Sequence, residues 1–187
     1  EGDKWPELVR AMRTRIGLNT GPCMIGNMGS RMRFSYTMMG DDVNLAARME
    51  SGAKSWGAYT MCTEATKTAC EEHSGDQIVF RALGRVVVKG RSLATPIYEI
   101  VGFKESLAPD TVECLTLFSE GLEHYYSRDW LRAEECFRRS ATYELYIPGE
   151  ALGVFTNPSL VYLRIVAEYQ TNPPDADWDG IYIMNDK

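Results

Sequence analysis

The pattern of the chain changes at Pro109. Before it, short strand-like runs broken by glycine alternate with helix-patterned stretches; after it, only helical patterns remain until a Pro- and Asp-rich end. Such a chain cannot be an all-helical bundle or an all-β sandwich. The expectation is an α+β fold, a sheet with helices on one face, over residues 1–108, followed by a helical extension and tail over residues 109–187. In the first unit, residues 15–28 (RIGLNTGPCMIGNM) read as two short strands around a turn at Gly21-Pro22. RFSYTMM (33–39) is a third strand, broken by Gly40-Asp41-Asp42. VNLAARMES follows with helical spacing, Asp41 or Asp42 as cap and Gly52 as stop. TMCT (60–63) is a strand, EATKTACEE (64–72) a helix capped by Thr63, and FRALGRVVVKG (80–90) with PIYEIVGF (96–103) the last strand pair. The chain opens in what reads as the end of a helix, so about half of such a domain is expected here.

The second unit reads as two amphipathic helices joined at Ser127-Arg128-Asp129, then a third over 158–170 capped by Asn157. The end, TNPPDADWDGIYIMNDK, is expected to lie on the surface as a tail or strap. Charge follows the same division. Residues 1–108 carry 14 Lys/Arg and 12 Asp/Glu, a net +2, and residues 109–187 carry 6 and 14, a net −8. Neither half has the basic stripe of a nucleic-acid binder, although the first could hold a small anion. No apolar run reaches the roughly 20 residues of a membrane span. The segment EGDKWPELVRAMR has no apolar signal core, and a cytoplasmic location is expected, either free or as the cytoplasmic part of a membrane-anchored protein. Five cysteines without a C-x-x-C pair, beside two histidines, argue for free and mostly buried thiols against a zinc site.

Two chemical readings start from glycines and from a helix. Gly21-x4-Gly26 has the spacing of a phosphate-binding loop, but Asn27-Met28 stand where Lys-Ser/Thr must be. Met24 likewise removes a glycine that the dinucleotide fingerprint requires. These are strand glycines in a tight hairpin. Asn44 and Arg48 sit four apart, so they share one helix face. Arg carries a fixed charge and a planar fork suited to phosphoryl oxygens. By spacing alone, a phosphate contact and a solvated helix face both remain open.

The strings RIGLNTGPCMIGNMG, YTMMGDDVNLAARMES and VVVKG, in this order, resemble the C-terminal half of the class III nucleotide cyclase catalytic domain, over about residues 8–103. Its core, Gly-Asp-x-Val-Asn-x-Ala-x-Arg-Met/Leu-Glu, is highly specific. The resemblance implies the C-terminal part of a ferredoxin-like catalytic domain. It also implies the conversion of ATP to cyclic AMP and pyrophosphate with Mg2+ or Mn2+. It assigns Asn44 to the ribose, Arg48 to charge developing on the α-phosphate, and Lys89 to the outgoing phosphates. Thr37 falls where the base is read. Family members acting on ATP carry Asp or Thr there, and guanylate cyclases typically Cys or another residue.

In the family, two Asp residues on the first strands hold the metals. Asp41 and Asp42 are not those residues, so no metal ligand is assigned in this chain. The resemblance further implies a head-to-tail homodimer, with this chain forming one side of each site and being inactive alone. A guanylate cyclase, or a catalytically silent cyclase-like regulatory dimer partner, is the alternative. In the extension, Gly121, Ala133 and Phe137 fall at tetratricopeptide spacing, and the whole resembles helical extensions that follow bacterial cyclase domains. Packing of this extension against the catalytic part is expected over recruitment of a separate partner. Trp130, Tyr143 and Tyr146 are then core or strap contacts.

Overall fold

The structure, a computed structural model, describes residues 4–30, 33–87, 94–150 and 153–182. After a single helical turn, α1 (Glu7–Arg10), the order is β1 (Ile16–Leu18), β2 (Met24–Ser30), β3 (Arg33–Met39), α2 (Asp41–Trp56), β4 (Thr60–Thr63), α3 (Glu64–Ser74), β5 (Ile78–Val87) and β6 (Ala94–Phe103). Then come α4 (Pro109–Tyr126), α5 (Trp130–Ala141), α6 (Pro158–Thr171) and the two-residue strand β7 (Ile181–Tyr182). Five strands form one sheet in the order β1-β4-β6-β5-β7, and β2 and β3 form a separate antiparallel ribbon. The two strands expected around Gly21-Pro22 are therefore present but do not pair with each other. β1 runs parallel to β4, whereas β2 pairs with β3. A parallel pair needs a crossover, and the ribbon with α2 supplies it.

Helices cover both faces of the sheet, not one. Cys62, Tyr98 and Ala82 lie in register across three strands and face α3, whose Lys67 stands over the Tyr98 ring. Met61, Glu99 and Arg81 lie in register on the opposite face. There the core runs without a break from Leu45, Met49 and Trp56 of α2, through Met61, Leu83 and Ile97 of the sheet, to Phe118, Phe137 and Tyr162 of the helical extension. The extension is packed onto α2 and the sheet, as its apolar helix faces require.

Local signals explain most helix ends. Asn157 accepts a hydrogen bond from the Leu160 N–H at 2.9 Å and caps α6, and Asp129 does the same for α5 through Arg132 N–H at 3.2 Å. Two expectations are corrected. The residue capping α2 is Gly40, with Asp41 and Asp42 inside the first turn, where their charge complements the helix dipole. That helix also passes through Gly52 and stops at Gly57, whose φ of 69° is the left-handed cap conformation. Thr63 does stand at the start of α3, but its hydroxyl donates to Asn19 Oδ1 at 2.6 Å instead of capping the helix.

The helical hairpin α4–α5 closes where its small residue predicts. A Cβ on Gly121 would sit 2.8 Å from the Phe137 ring. Arg128, in the turn between the helices, has φ 62° and donates from Nη2 to the Asp175 carbonyl at 2.5 Å, holding the strap that follows α6. Trp178 of that strap lies among Tyr125, Trp130 and Tyr169, and β7 then adds to the sheet edge beside Arg85 and Val86 of β5. Trp130 is thus a strap contact, and Tyr146 packs edge-on against Tyr59.

Candidate active site

Helix α2 carries the first two candidate residues. Leu45, Met49, Ala53 and Trp56 are buried on its inner side, which turns Asn44 and Arg48 outward, both exposed, about 6 Å apart along the axis. The backbone N–H of Asn44 donates to Gly40 O at 3.1 Å, so Asn44 opens the regular hydrogen bonding of the helix. The connection into it is tight. β3 ends at Met39, Gly40 takes φ 149° and ψ 163°, and the helix starts at Asp41.

Thr37 lies on β3, directly opposite Gly26 of β2, and is exposed. A side chain at Gly26 would meet nothing within 4 Å, so the glycine leaves the surface beside Thr37 uncovered. Thr37, Asn44 and Arg48 therefore sit on one strand–glycine–helix unit, Thr37 on its ribbon and the other two on its helix. Lys89 lies outside the described residues.

The first turn of α2 is held by residues that the sequence reading did not single out. Asn19 donates from Nδ2 to both Asp42 Oδ1 (3.1 Å) and Asp42 O (3.2 Å), while its own Oδ1 accepts from Thr63. Thr20 donates to the Thr66 hydroxyl at 3.2 Å. The glycines of this region serve close approach. A Cβ on Gly17 would come within 2.2 Å of Ala46 O and Glu50 N, and one on Gly21 within 2.4 Å of Asp42 Cγ. Gly17 thus lets β1 lie on the backbone of α2, and Gly21 lets the following loop lie against the Asp42 side chain. The one signal for Asn19 was its place in the run Asn-Thr-Gly at the end of a strand.

Among the described residues there is no group of three or more His, Cys, Asp or Glu side chains that could hold a metal ion. Asp42 is engaged by Asn19, and the donor set of the described residues does not fit a divalent ion. The described cysteines are all free thiols; Cys62 and Cys114 are buried, Cys70 and Cys136 half-buried, and Cys23 exposed. Burial pushes the Cys62 thiol up to about 12 and that of Cys114 up to about 11. Neither is a nucleophile near neutral pH.

A second polar cluster lies away from this surface, under the helical extension. Arg81 donates from Nη2 to Glu99 at 2.5 Å and from Nη1 to Glu144 at 2.8 Å, all three buried. Glu144 also accepts from the Ser159 hydroxyl at 2.7 Å, and Ser159 bonds to Ser140. Burial pushes the Glu99 carboxyl up, against the pull of Arg81. The adjoining cavity, about 180 Å3, is lined by these charges with Tyr59, Tyr146 and Asn157.

The chain is 42% identical over 90 residues to adenylate cyclase 1 of Rhizobium meliloti (strain 1021), covering 48% of this chain and 13% of that protein. It is 34% identical over 116 residues to the terminal-differentiation specific adenylate cyclase of Dictyostelium discoideum, covering 62% of this chain and 5% of that one. Among solved structures it is similar to the adenylyl cyclase CyaB from P. aeruginosa, at 33% identity and a TM-score of 0.41, covering 50% of this chain and 45% of that one. The chain thus spans a minor part of each of these relatives. The sequence model of the adenylate and guanylate cyclase catalytic domain matches residues 5–105, more than half of the chain and the whole of the site segment, so this protein belongs to the class III adenylate and guanylate cyclase family.

Proposed function

We propose that the chain is part of an adenylate cyclase that converts ATP to 3',5'-cyclic AMP and pyrophosphate. The observation that carries this reading is the outward-facing pair Asn44 and Arg48 on a helix whose other side is locked into the core. In the proposed reaction the ribose 3'-hydroxyl attacks the α-phosphorus in line, the new O–P bond forms, and the bond to the β-phosphate oxygen breaks. Asn44, able both to donate and to accept, orients the ribose. Arg48 faces the charge that grows on the α-phosphate, a term felt mostly in the transition state. Thr37 reads the adenine edge, and Lys89 holds the departing phosphates.

Divalent Mg2+ or Mn2+ supplies charge neutralisation in this class. By resemblance to the family, we place its ligands on the first strands of the catalytic domain, outside this chain. The exposed apolar side chains of the ribbon, Met24, Ile25, Phe34, Tyr36 and Met38, suit coverage by another protein surface. This supports a head-to-tail homodimer in which the Asn44–Arg48 side of one copy faces the metal-bearing side of the other. The 187-residue chain by itself is then inactive. No helix of the described residues is long and apolar enough to cross a membrane; we place the reaction in the cytoplasm. The helical extension is proposed as a tetratricopeptide-like unit, supported by the Gly121–Phe137 contact.

A guanylate cyclase is the second reading, favoured by one finding: 36% identity over 91 residues to the receptor-type guanylate cyclase gcy-5 of Caenorhabditis elegans. Initial rates with ATP and with GTP on the full-length protein decide between them. In that protein Arg48→Ala should lower kcat about a hundredfold or more while the KM for ATP changes far less. A variant that kept its turnover would remove Arg48 from the transition state.

A further inference from the structure

The helix that carries Asn44 and Arg48 is gripped at its far end by the helical extension, not by the sheet alone. Trp56, the last residue of α2, is fully buried and its ring lies 5.6 Å from that of Tyr162 in α6, tilted by 44°. The next residue, Gly57, touches the start of the same helix through backbone: a Cβ there would fall 2.4 Å from Thr156 O and 2.6 Å from Asn157 Cα. Asn157 is itself fixed, donating to Tyr146 O at 3.0 Å while capping α6. Tyr162 reaches onward into the sheet. Its hydroxyl donates to Leu83 O at 3.0 Å, at the bulge in β5 where Gly84 (φ 104°) leaves room that a Cβ would occupy, 2.4 Å from that oxygen. One side chain therefore joins α2, α6 and the central strand.

We propose that Tyr162 is a positioning residue for the candidate active site: it fixes the angle of α2 and hence where Asn44 and Arg48 stand. The proposal rests on the reading of those two residues as parts of the cyclase site. The lever is simple. Arg48 lies six residues after Asp42, ~9 Å along the helix axis. A tilt of about 6–7° about the Asp42 end moves Arg48 by ~1 Å, and a misplacement of that size at a reacting group can cost about a hundredfold in rate. The other end of α2 is held by Asn19 on Asp42, so release at Trp56 swings the helix without detaching it. The extension then acts as a brace on the catalytic helix, a role separate from any partner it binds.

The test uses the full-length protein, with steady-state kcat and KM for ATP measured well below the melting temperature. Tyr162→Leu, which removes the ring from Trp56, should lower kcat about tenfold or more with KM within about threefold. Tyr162→Phe, which keeps the ring, should retain at least about half of wild-type kcat. If Tyr162→Leu does not fold, Trp56→Phe shortens the same contact from the helix side and should lower kcat in the same way. Arg128→Ala releases the strap far from α2 and should keep kcat. In an Arg48→Ala background Tyr162→Leu should cause a much smaller further loss, because most of its effect runs through Arg48, the residue farther from the held end. A Tyr162→Leu protein that melts earlier but turns over at the wild-type rate overturns the brace, as does a loss in the Arg48→Ala background as large as in wild type, or an equal loss in Arg128→Ala. An Arg48→Ala variant with normal kcat sinks the underlying site reading instead.

Discussion

The Thr37 hydroxyl faces a surface left open by the glycine across the ribbon, and its small size sets what it can do. It is donor and acceptor at once, so in the proposed base-reading role it would discriminate only together with a second group. Thr37→Val keeps the shape and deletes the hydroxyl. It should lower kcat/KM for ATP and narrow the ATP-over-GTP ratio while leaving the melting temperature nearly unchanged, because the residue is exposed. Initial rates with both nucleotides check this, and an unchanged ratio would show that Thr37 does not read the base. The family resemblance, more than spacing, made Thr37, Asn44 and Arg48 legible as candidates; all three lie within twelve positions of one another and share one strand–helix unit. Asn19 was not legible. Its partner Asp42 is 23 positions away, and nothing in local periodicity reports a strut between a loop and a helix that meet only after folding.

Strand and helix limits were read within a few positions, because glycines and capping residues act locally. Pairing was not. The turn at Gly21-Pro22 looked like a hairpin, but β1 finds β4, 42 or more positions away, while the ribbon is built by β2 with β3. The two faces of the sheet were hidden for the same reason. A short strand such as β4 shows Met61 and Cys62 as equally apolar, and only register reveals that one faces α2 and the other α3. That α3 interface carries its own pH dependence. The Cys62 thiol titrates near 9.0 in an unfolded chain and about 12 when folded, chiefly through burial. As pH rises from 9, the unfolded chain loses this proton first. Stability is then fully present below pH 9 and declines toward 12, by up to about 1.4 kcal/mol per pH unit for this group. Urea unfolding between about pH 9 and pH 11 should show that slope, and Cys62→Ala should reduce it by roughly one proton's worth. An identical slope in the variant would rule the thiol out as its source.

Across the molecule, the boundary suggested by charge and periodicity at residue 108 is crossed by one continuous core and by the buried Arg81–Glu99–Glu144 cluster. Arg81→Met would leave two carboxylates buried without their cation. It should destabilise the protein by about 3–5 kcal/mol, read as a lower urea midpoint with an unchanged m-value. A loss below about 1 kcal/mol would mean that the cluster is hydrated and not a lock. A sequence cannot display such a cluster, because its members come from two sheet strands and a loop after α5. The closing strand has a consequence for synthesis. β7 docks beside Arg85, nearly a hundred positions earlier in the chain. At roughly 5–20 residues per second, a ribosome delivers that partner on the order of 5–20 s after β5 has emerged. Until then the edge of β5 is an open template for other nascent chains. Translation through β7 thus acts as a timer: a product terminated before Ile181 keeps a sticky border along β5.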